Sequence, residues 1–392
     1  MVRNDKLVYK VGERIYRLNP PLFRIMQNQY NKIVADKKWK SQNPNIAPPL
    51  TKLNIELTIV CNLRCPFCWW WGENGIAPSL IKNGDQMFSK QLTTQEIMGI
   101  VDQAQKLGVK DLYLAGAEPF TRTDTLELIK YMVGKGMFVS TTTNGTLIKD
   151  EVLKELATIK KLSLGFSLDG TRDVHDKIRG RGMFDKTITT INKLAEYRGK
   201  DRFPAIKTNT TFSPWLLGHT MELADFLQEQ KLSAMHFQHL WFTNRERADA
   251  HKKFLKANFG VDDNGVDAHV LTMPTQMYAE QLANEISQLE KKRFKVPLFI
   301  KPHMKKEQIM KYYTDLNFTL RKNCVAPWGE HVLLKVNGDL VYCPDEWVTH
   351  SVGNIRKETL EQIWTGDKSK QFRTVLNKVG LFPACARCCI IN

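Results

Sequence analysis

Leu53, Ile55, Leu57 and Ile59 alternate with Asn54, Glu56 and Thr58, the two-residue period of a strand. After a Thr93-Thr94 cap, Ile97, Ile100, Val101, Ala104 and Leu107 recur at helical spacing, and Gly108 supplies a stop. The same unit of strand, polar turn and amphipathic helix then repeats. The pattern predicts strands near 111–115, 137–142, 162–168, 205–211 and 234–241, and helices near 123–133, 149–158, 185–198 and 219–230. Strands alternating with helices in this way predict an α/β fold with a parallel sheet, either open and doubly wound or a barrel. Short strands such as Leu112-Tyr113-Leu114-Ala115 suit burial on both faces. In such folds the chemistry sits at the C-terminal ends of the strands.

Residues 1–50 read as an N-terminal extension and linker, with a hairpin-like pattern around Gly12-Glu13 and an end at Pro48-Pro49. The repeating core covers 51–241. Residues 242–319 are more polar and read as a mainly helical connecting region. A separate small module, 320–392, carries short strand-like pieces, Val332-Leu333-Leu334 and Leu340-Val341-Tyr342, then a Gly353-Asn354 turn and helices near 358–364 and 369–379.

Charge changes this picture little. The formal net charge is +16, from 57 Lys and Arg against 41 Asp and Glu, which favours anionic partners. Eight basic residues and one acid, Glu307, lie between Lys291 and Lys311. A solvated helical face accounts for that run. A membrane-surface role is the alternative, because Phe294, Val296, Leu298, Phe299 and Ile300 sit among the lysines. The run lacks any nucleic-acid-binding signature, which points away from a nucleic-acid partner. No apolar run is long enough to span a bilayer and no signal-peptide core follows the first residues, so the expectation is a cytoplasmic protein. Eight cysteines in a reducing compartment are then thiols, metal ligands or nucleophiles.

Three of them, Cys61, Cys65 and Cys68, fall within eight residues directly after the first strand, where they can converge on one centre. Structural zinc takes four protein ligands. A 4Fe–4S cluster held by three thiolates keeps one iron open for a substrate or cofactor. With the aromatic Phe67 before the third cysteine, this segment resembles the radical S-adenosylmethionine (radical SAM) superfamily. Further segments resemble that family in order along the chain: Ala115-Gly116-Ala117-Glu118-Pro119, Thr143-Asn144-Gly145-Thr146, Ser167-Leu168-Asp169-Gly170 and His175-Asp176-Lys177-Ile178-Arg179. The first departs from the family's Gly-Gly-Glu-Pro in having Ala115 and Ala117 about a single Gly116.

The resemblance implies a partial (β/α)6 TIM-like barrel whose loop cluster binds and reductively cleaves SAM, giving a 5′-deoxyadenosyl radical that abstracts hydrogen from a substrate. It implies Cys61, Cys65 and Cys68 as cluster ligands, and Phe67, Gly116, Glu118, Asn144, Ser167, Asp169 and Arg179 as SAM-binding residues. Glu118 is placed near the methionine amino group and Arg179 at its carboxylate. An electron donor such as flavodoxin or ferredoxin is implied as a partner.

Cys324, Gly338 and Cys343 fall in a Cys-x13-Gly-x4-Cys arrangement that resembles the opening of SPASM/twitch domains. With Cys385 and Cys388, or Cys389 in place of Cys388, four cysteines are expected to ligate one auxiliary 4Fe–4S cluster. A zinc knuckle is the alternative for this set. Asp345 is a candidate proton acceptor, with an ordinary turn carboxylate as the other reading. Trp69, Trp70 and Trp71 are expected to pack beneath the cluster loop, and His236 and His239 to be core histidines or to approach substrate. The substrate expectation is a peptide or protein. A dehydrogenase or epimerase of a small carbohydrate or lipid precursor is the alternative enzyme. A zinc-stabilised nucleic-acid-binding protein is the non-enzyme alternative.

Overall fold

The structure, a computed structural model, describes residues 43–73, 75–82, 90–262, 265–272, 274–324, 326–328, 332–343 and 347–388. The hairpin expected around Gly12-Glu13 lies outside them. The expected βα units are present. Strands β1 (Lys52–Glu56), β2 (Asp111–Ala115), β3 (Phe138–Thr143), β4 (Leu162–Ser167), β5 (Ala205–Phe212) and β6 (Ala234–His239) pair in parallel in chain order. Their alternation decides which side each residue faces. Leu53, Ile55, Leu112, Leu114, Val139, Leu164 and Ile206 are buried against the helices, each worth about 2 kcal/mol of removed apolar surface. On the opposite face Tyr113, Ser140, Thr142, Ser167, Lys207, Asn209, Thr211, His236 and Gln238 are only part-buried and line the concave lumen.

Helix α1 (Ile76–Lys82) follows the cysteine loop, and α2 (Thr94–Lys106) begins where the sequence places its cap. The Thr93 hydroxyl accepts from the Glu96 N–H while the Glu96 carboxylate accepts from the Thr93 N–H, so two otherwise orphaned amides are satisfied.

Two features differ from the sequence expectation. A seventh parallel strand, β7 (Leu298–Lys301), pairs with β6 and extends the barrel into the region read as a helical connection. Four residues between lysines and Pro302 give too little periodicity to declare a strand. The same pairing corrects the membrane-surface reading. Phe294, Val296, Leu298 and Ile300 are buried in the apolar core under the helices, so the hydrophobic residues among the lysines face inward.

At the other edge the C-terminal module is continuous with the barrel sheet. Strand β8 (Val332–Leu334) pairs in parallel with β1, then β9 (Asp339–Val341) and β10 (Ser351–Asn354) continue antiparallel. Gly353-Asn354, expected as a turn, is thus part of a strand. The tight turn is at Asn337-Gly338, where Gly338 has φ +89°. The lumen-facing side chains of β1 are satisfied by this module: the Asn54 amide donates to the Val332 carbonyl at 2.9 Å and Glu56 accepts from the Val336 N–H at 3.1 Å. Among the described residues, no helix is long and apolar enough to cross a membrane.

Candidate active site

The cysteine loop leaves β1 and is wound by its own backbone. The Cys68 N–H donates to the Cys65 carbonyl at 3.0 Å, and the Gly72 N–H to the Cys68 carbonyl at 2.7 Å. A Cβ on Gly72 would lie 2.6 Å from the Cys68 oxygen, so only glycine permits this approach. The Arg64 guanidinium caps the Cys61 and Leu63 carbonyls and covers the Trp71 ring at 3.8 Å. Backbone amides reach two sulfurs: Leu63 N to Cys61 Sγ at 3.3 Å and Trp71 N to Cys68 Sγ at 3.4 Å.

The three sulfurs feel one another electrostatically. Burial pushes the Cys61 thiol up to about 11 and raises that of Cys65, where the nearby Arg179 guanidinium opposes the shift. Metal binding must therefore release protons here. Three soft sulfurs, one buried and two part-buried, with amide donors to two of them, fit an iron–sulfur cluster. Among the described residues, no three His, Cys, Asp or Glu side chains gather closely enough to surround a single ion.

The residues expected to bind SAM converge on the same end of the barrel. Gly116 turns at φ +113°, and a Cβ there would meet the Thr58 carbonyl oxygen at 2.3 Å, so the small residue draws the β2 loop onto the β1 loop. Glu118 is buried and accepts from Thr143 Oγ1 at 2.7 Å, the Asn144 N–H at 2.7 Å and the Phe120 N–H at 3.1 Å. Burial raises its pKa against those donors. Asn144 donates to Asn62 Oδ1 at 2.9 Å, and Asn62 donates to Thr146 at 3.0 Å, which ties the cysteine loop to the turn after β3.

Asp169 is fully buried. It accepts from Arg179 Nε at 2.7 Å and from the Thr211 N–H at 2.9 Å. Arg179 ends the helix Arg172–Arg179, and the Asp176 carboxylate holds the following turn through the Gly182 and Phe184 amides. His175 lies behind this pair with Nδ1 3.3 Å from the Asp169 N–H, and burial pushes its pKa down to about 4. Phe67 packs on Trp215 with centroids 6.2 Å apart. Ser167 faces the lumen.

Trp70 and Trp71 are buried as expected, and Trp71 Nε1 donates to the Ile59 carbonyl at 2.8 Å. His239 is a core residue: it is fully buried, 2.9 Å from the Tyr313 hydroxyl, against Phe212 and Tyr312. His236 faces the lumen instead. Sequence reasoning missed Asn62 and assigned no role to Thr143 and Asp176, which lie within the quoted segments and act through other residues. A hydrogen-bonding residue beside each motif residue was the available signal.

In the C-terminal module Cys324, Cys343, Cys385 and Cys388 all border one apolar cluster. Cys324 is fixed by its N–H to the Gly380 carbonyl at 3.0 Å, and the Cys388 N–H closes a turn onto the Cys385 carbonyl. Cys324 and Cys385 influence each other electrostatically, and burial pushes the Cys385 thiol up to about 12. Asp345 and Cys389 lie outside the described residues.

Comparisons with known proteins match two domains of the chain. The model of the radical SAM superfamily matches residues 55–229, and that of an iron–sulfur cluster-binding domain, SPASM, matches residues 324–389. The chain belongs to the radical SAM superfamily. Fe-coproporphyrin III synthase of Methanosarcina barkeri is 26% identical over 351 residues, covering 85% of this chain and 79% of that protein. Mycofactocin maturase of Mycolicibacterium smegmatis is 31% identical over 144 residues, covering 36% of this chain and 34% of that one. Streptococcus suis SuiB superposes with a TM-score of 0.60 at 16% identity, over 88% of this chain and 73% of its own. The chain is thus a radical SAM enzyme, with SAM and 4Fe–4S clusters as cofactors. The zinc-stabilised nucleic-acid-binding alternative is overturned by the two matched domains.

Proposed function

We propose that this radical SAM enzyme abstracts hydrogen from a peptide or protein substrate, with Cys61, Cys65 and Cys68 holding the core cluster. Bound SAM supplies a 5′-deoxyadenosyl radical on reductive cleavage. The observation that supports the cluster and SAM part of this reading is the Asn62–Asn144–Thr146 bridge, which brings the cysteine loop against the turn where Glu118 is held.

The chain's own residues then have distinct tasks. Glu118, oriented by Thr143 and the Asn144 amide, accepts from the methionine ammonium. Gly116 and Asn144 offer close backbone and amide contact, and Ser167 and Asp169 face the ribose and carboxylate side. Arg179 balances the charge of Asp169 and meets the SAM carboxylate. Phe67 and Trp215 screen the loop from water. Cys324, Cys343, Cys385 and Cys388 hold one auxiliary 4Fe–4S cluster, and a flavodoxin or ferredoxin in the cytoplasm delivers the electron.

The peptide reading is supported by the match to mycofactocin maturase and by the shared fold of SuiB, which has also been solved with its precursor peptide SuiA. A small-molecule substrate is the second reading, favoured by the match to Fe-coproporphyrin III synthase along most of both chains. Anaerobic reconstitution, an iron count and assay of 5′-deoxyadenosine with SAM and dithionite test the chemistry. About eight irons per chain are expected for two clusters. No 5′-deoxyadenosine from iron-loaded protein would overturn the assignment.

A further inference from the structure

The lumen wall opposite β1 carries a group of cations that the SAM chemistry does not use. Register places Asn209 of β5 beside His236 of β6, and His236 beside Phe299 of β7. Lys207 lies two residues before Asn209, and Lys301 two residues after Phe299. All three basic residues therefore share one face along a diagonal, within the reach of long side chains.

Elsewhere the protein pairs its lysines: Lys252 with Asp267, Lys292 with Asp225, Lys295 with Glu229. Among the described residues, neither Lys207 nor Lys301 has a carboxylate partner. Burial and the neighbouring Lys301 charge lower the Lys207 pKa. Burial, then the two lysines, push His236 down to about 3, so its imidazole is neutral and keeps one N–H to donate. A half-buried ammonium left unpaired is unfavourable, and a bound anion removes the penalty. Lys301 is exposed at the free edge of β7, so the group is reached from solvent.

We propose that Lys207, His236 and Lys301 form a carboxylate-binding site in the barrel lumen, and that the substrate docks an acidic group there. Two ammonium groups flanking an imidazole N–H suit the two oxygens of a carboxylate. Phosphate sites usually add backbone N–H groups, and here the amides of β5 and β6 are committed to the sheet on both sides. Asn209 pairs with Ser167, so Lys207 lies about 7 Å, two residues of strand, below the level of the SAM-facing Ser167, with His236 at that level and Lys301 two residues above it. A substrate anchored at Lys207 extends toward the reacting end, with the Phe299 ring, edge-on to His236 at 5.2 Å, against its apolar part. This inference deepens the radical SAM reading and rests on it for the direction of the substrate.

The carboxylate can belong to an acidic peptide or to a small organic acid, and calorimetry on the anaerobically reconstituted enzyme with SAM separates the two. One pair of probes is glutarate and glutaramide; the other is N-acetyl-Gly-Glu-Gly-amide and its Gln counterpart. In one pair the acid is expected to bind about tenfold tighter than the amide, the size of one charge-assisted contact. Lys207→Met and Lys301→Met should each remove most of that preference, and Lys207→Arg should keep it. Should Lys207→Met lose iron or melt early, Lys301→Met at the exposed edge decides. Equal binding of acid and amide in both pairs, or a preference that survives the double Met variant, would overturn the site. Wild-type 5′-deoxyadenosine formation is read in the same preparation. Its absence counts against the radical SAM reading while leaving the acid preference legible.

Discussion

The two cysteine sets reach their geometry by opposite routes. Cys61, Cys65 and Cys68 are brought together by a loop of eight residues whose own amides and Arg64 wind it. Cys324, Cys343, Cys385 and Cys388 are gathered by a sheet extension, a hairpin and a terminal turn that pack on one apolar cluster. The first site is a local property of the chain; the second exists only once the module has folded. Local sites fail by losing a ligand, and non-local ones also fail by losing packing.

The largest effect expected is that of Cys65→Ala. It should abolish 5′-deoxyadenosine formation and lower iron from about eight to about four per chain, with the C-terminal cluster persisting. Unchanged SAM cleavage would remove the triad from the account. Cys385→Ala comes next: it should lose the auxiliary cluster's iron, keep the core cluster by electron paramagnetic resonance, and lower product formation. Full iron in this variant would sink the second site.

Gly116→Ala tests the joint between the β1 and β2 loops without touching a sulfur. The added Cβ meets the Thr58 oxygen at 2.3 Å in a left-handed backbone, so about 2 kcal/mol of stability should be lost in denaturant titration. The smallest effect is at the seam between the regions. Arg356 binds Glu96 at 2.6 Å and the Lys90 carbonyl at 3.0 Å, and this guanidinium holds the Glu96 carboxyl down to about 2. A depressed carboxyl stabilises fully above its ordinary value near 4.5, and that contribution fades as pH falls toward 2. Arg356→Ala should lose less than about 1 kcal/mol at neutral pH, and the difference from wild type should shrink on acidification. A difference that grows in acid would contradict the pairing.

The same contrast explains what could be read in the chain. The barrel was legible because its strands and helices each carry their period locally, and Thr93 and Glu96 write their own cap. The triad was legible because its ligands are neighbours. β7 was not, since Leu298–Lys301 is too short to show a period and is made a strand by β6. Nor were the supporting roles of Asn62 and Thr143, which exist only because Asn144 and Glu118 arrive from elsewhere. Lys301 reads as part of a solvated basic run and Lys207 carries no signal in the sequence; the register puts them on one face.

The pairing of β8 with β1 also sets an order of events. Asn54 bonds to Val332 across 278 residues, so the first strand of the barrel keeps an open edge until the last quarter of the chain has been made. During synthesis the cysteine loop hangs from an incompletely supported strand. A chain truncated before Val332 would leave that edge of β1 unpaired and open to pairing with another strand.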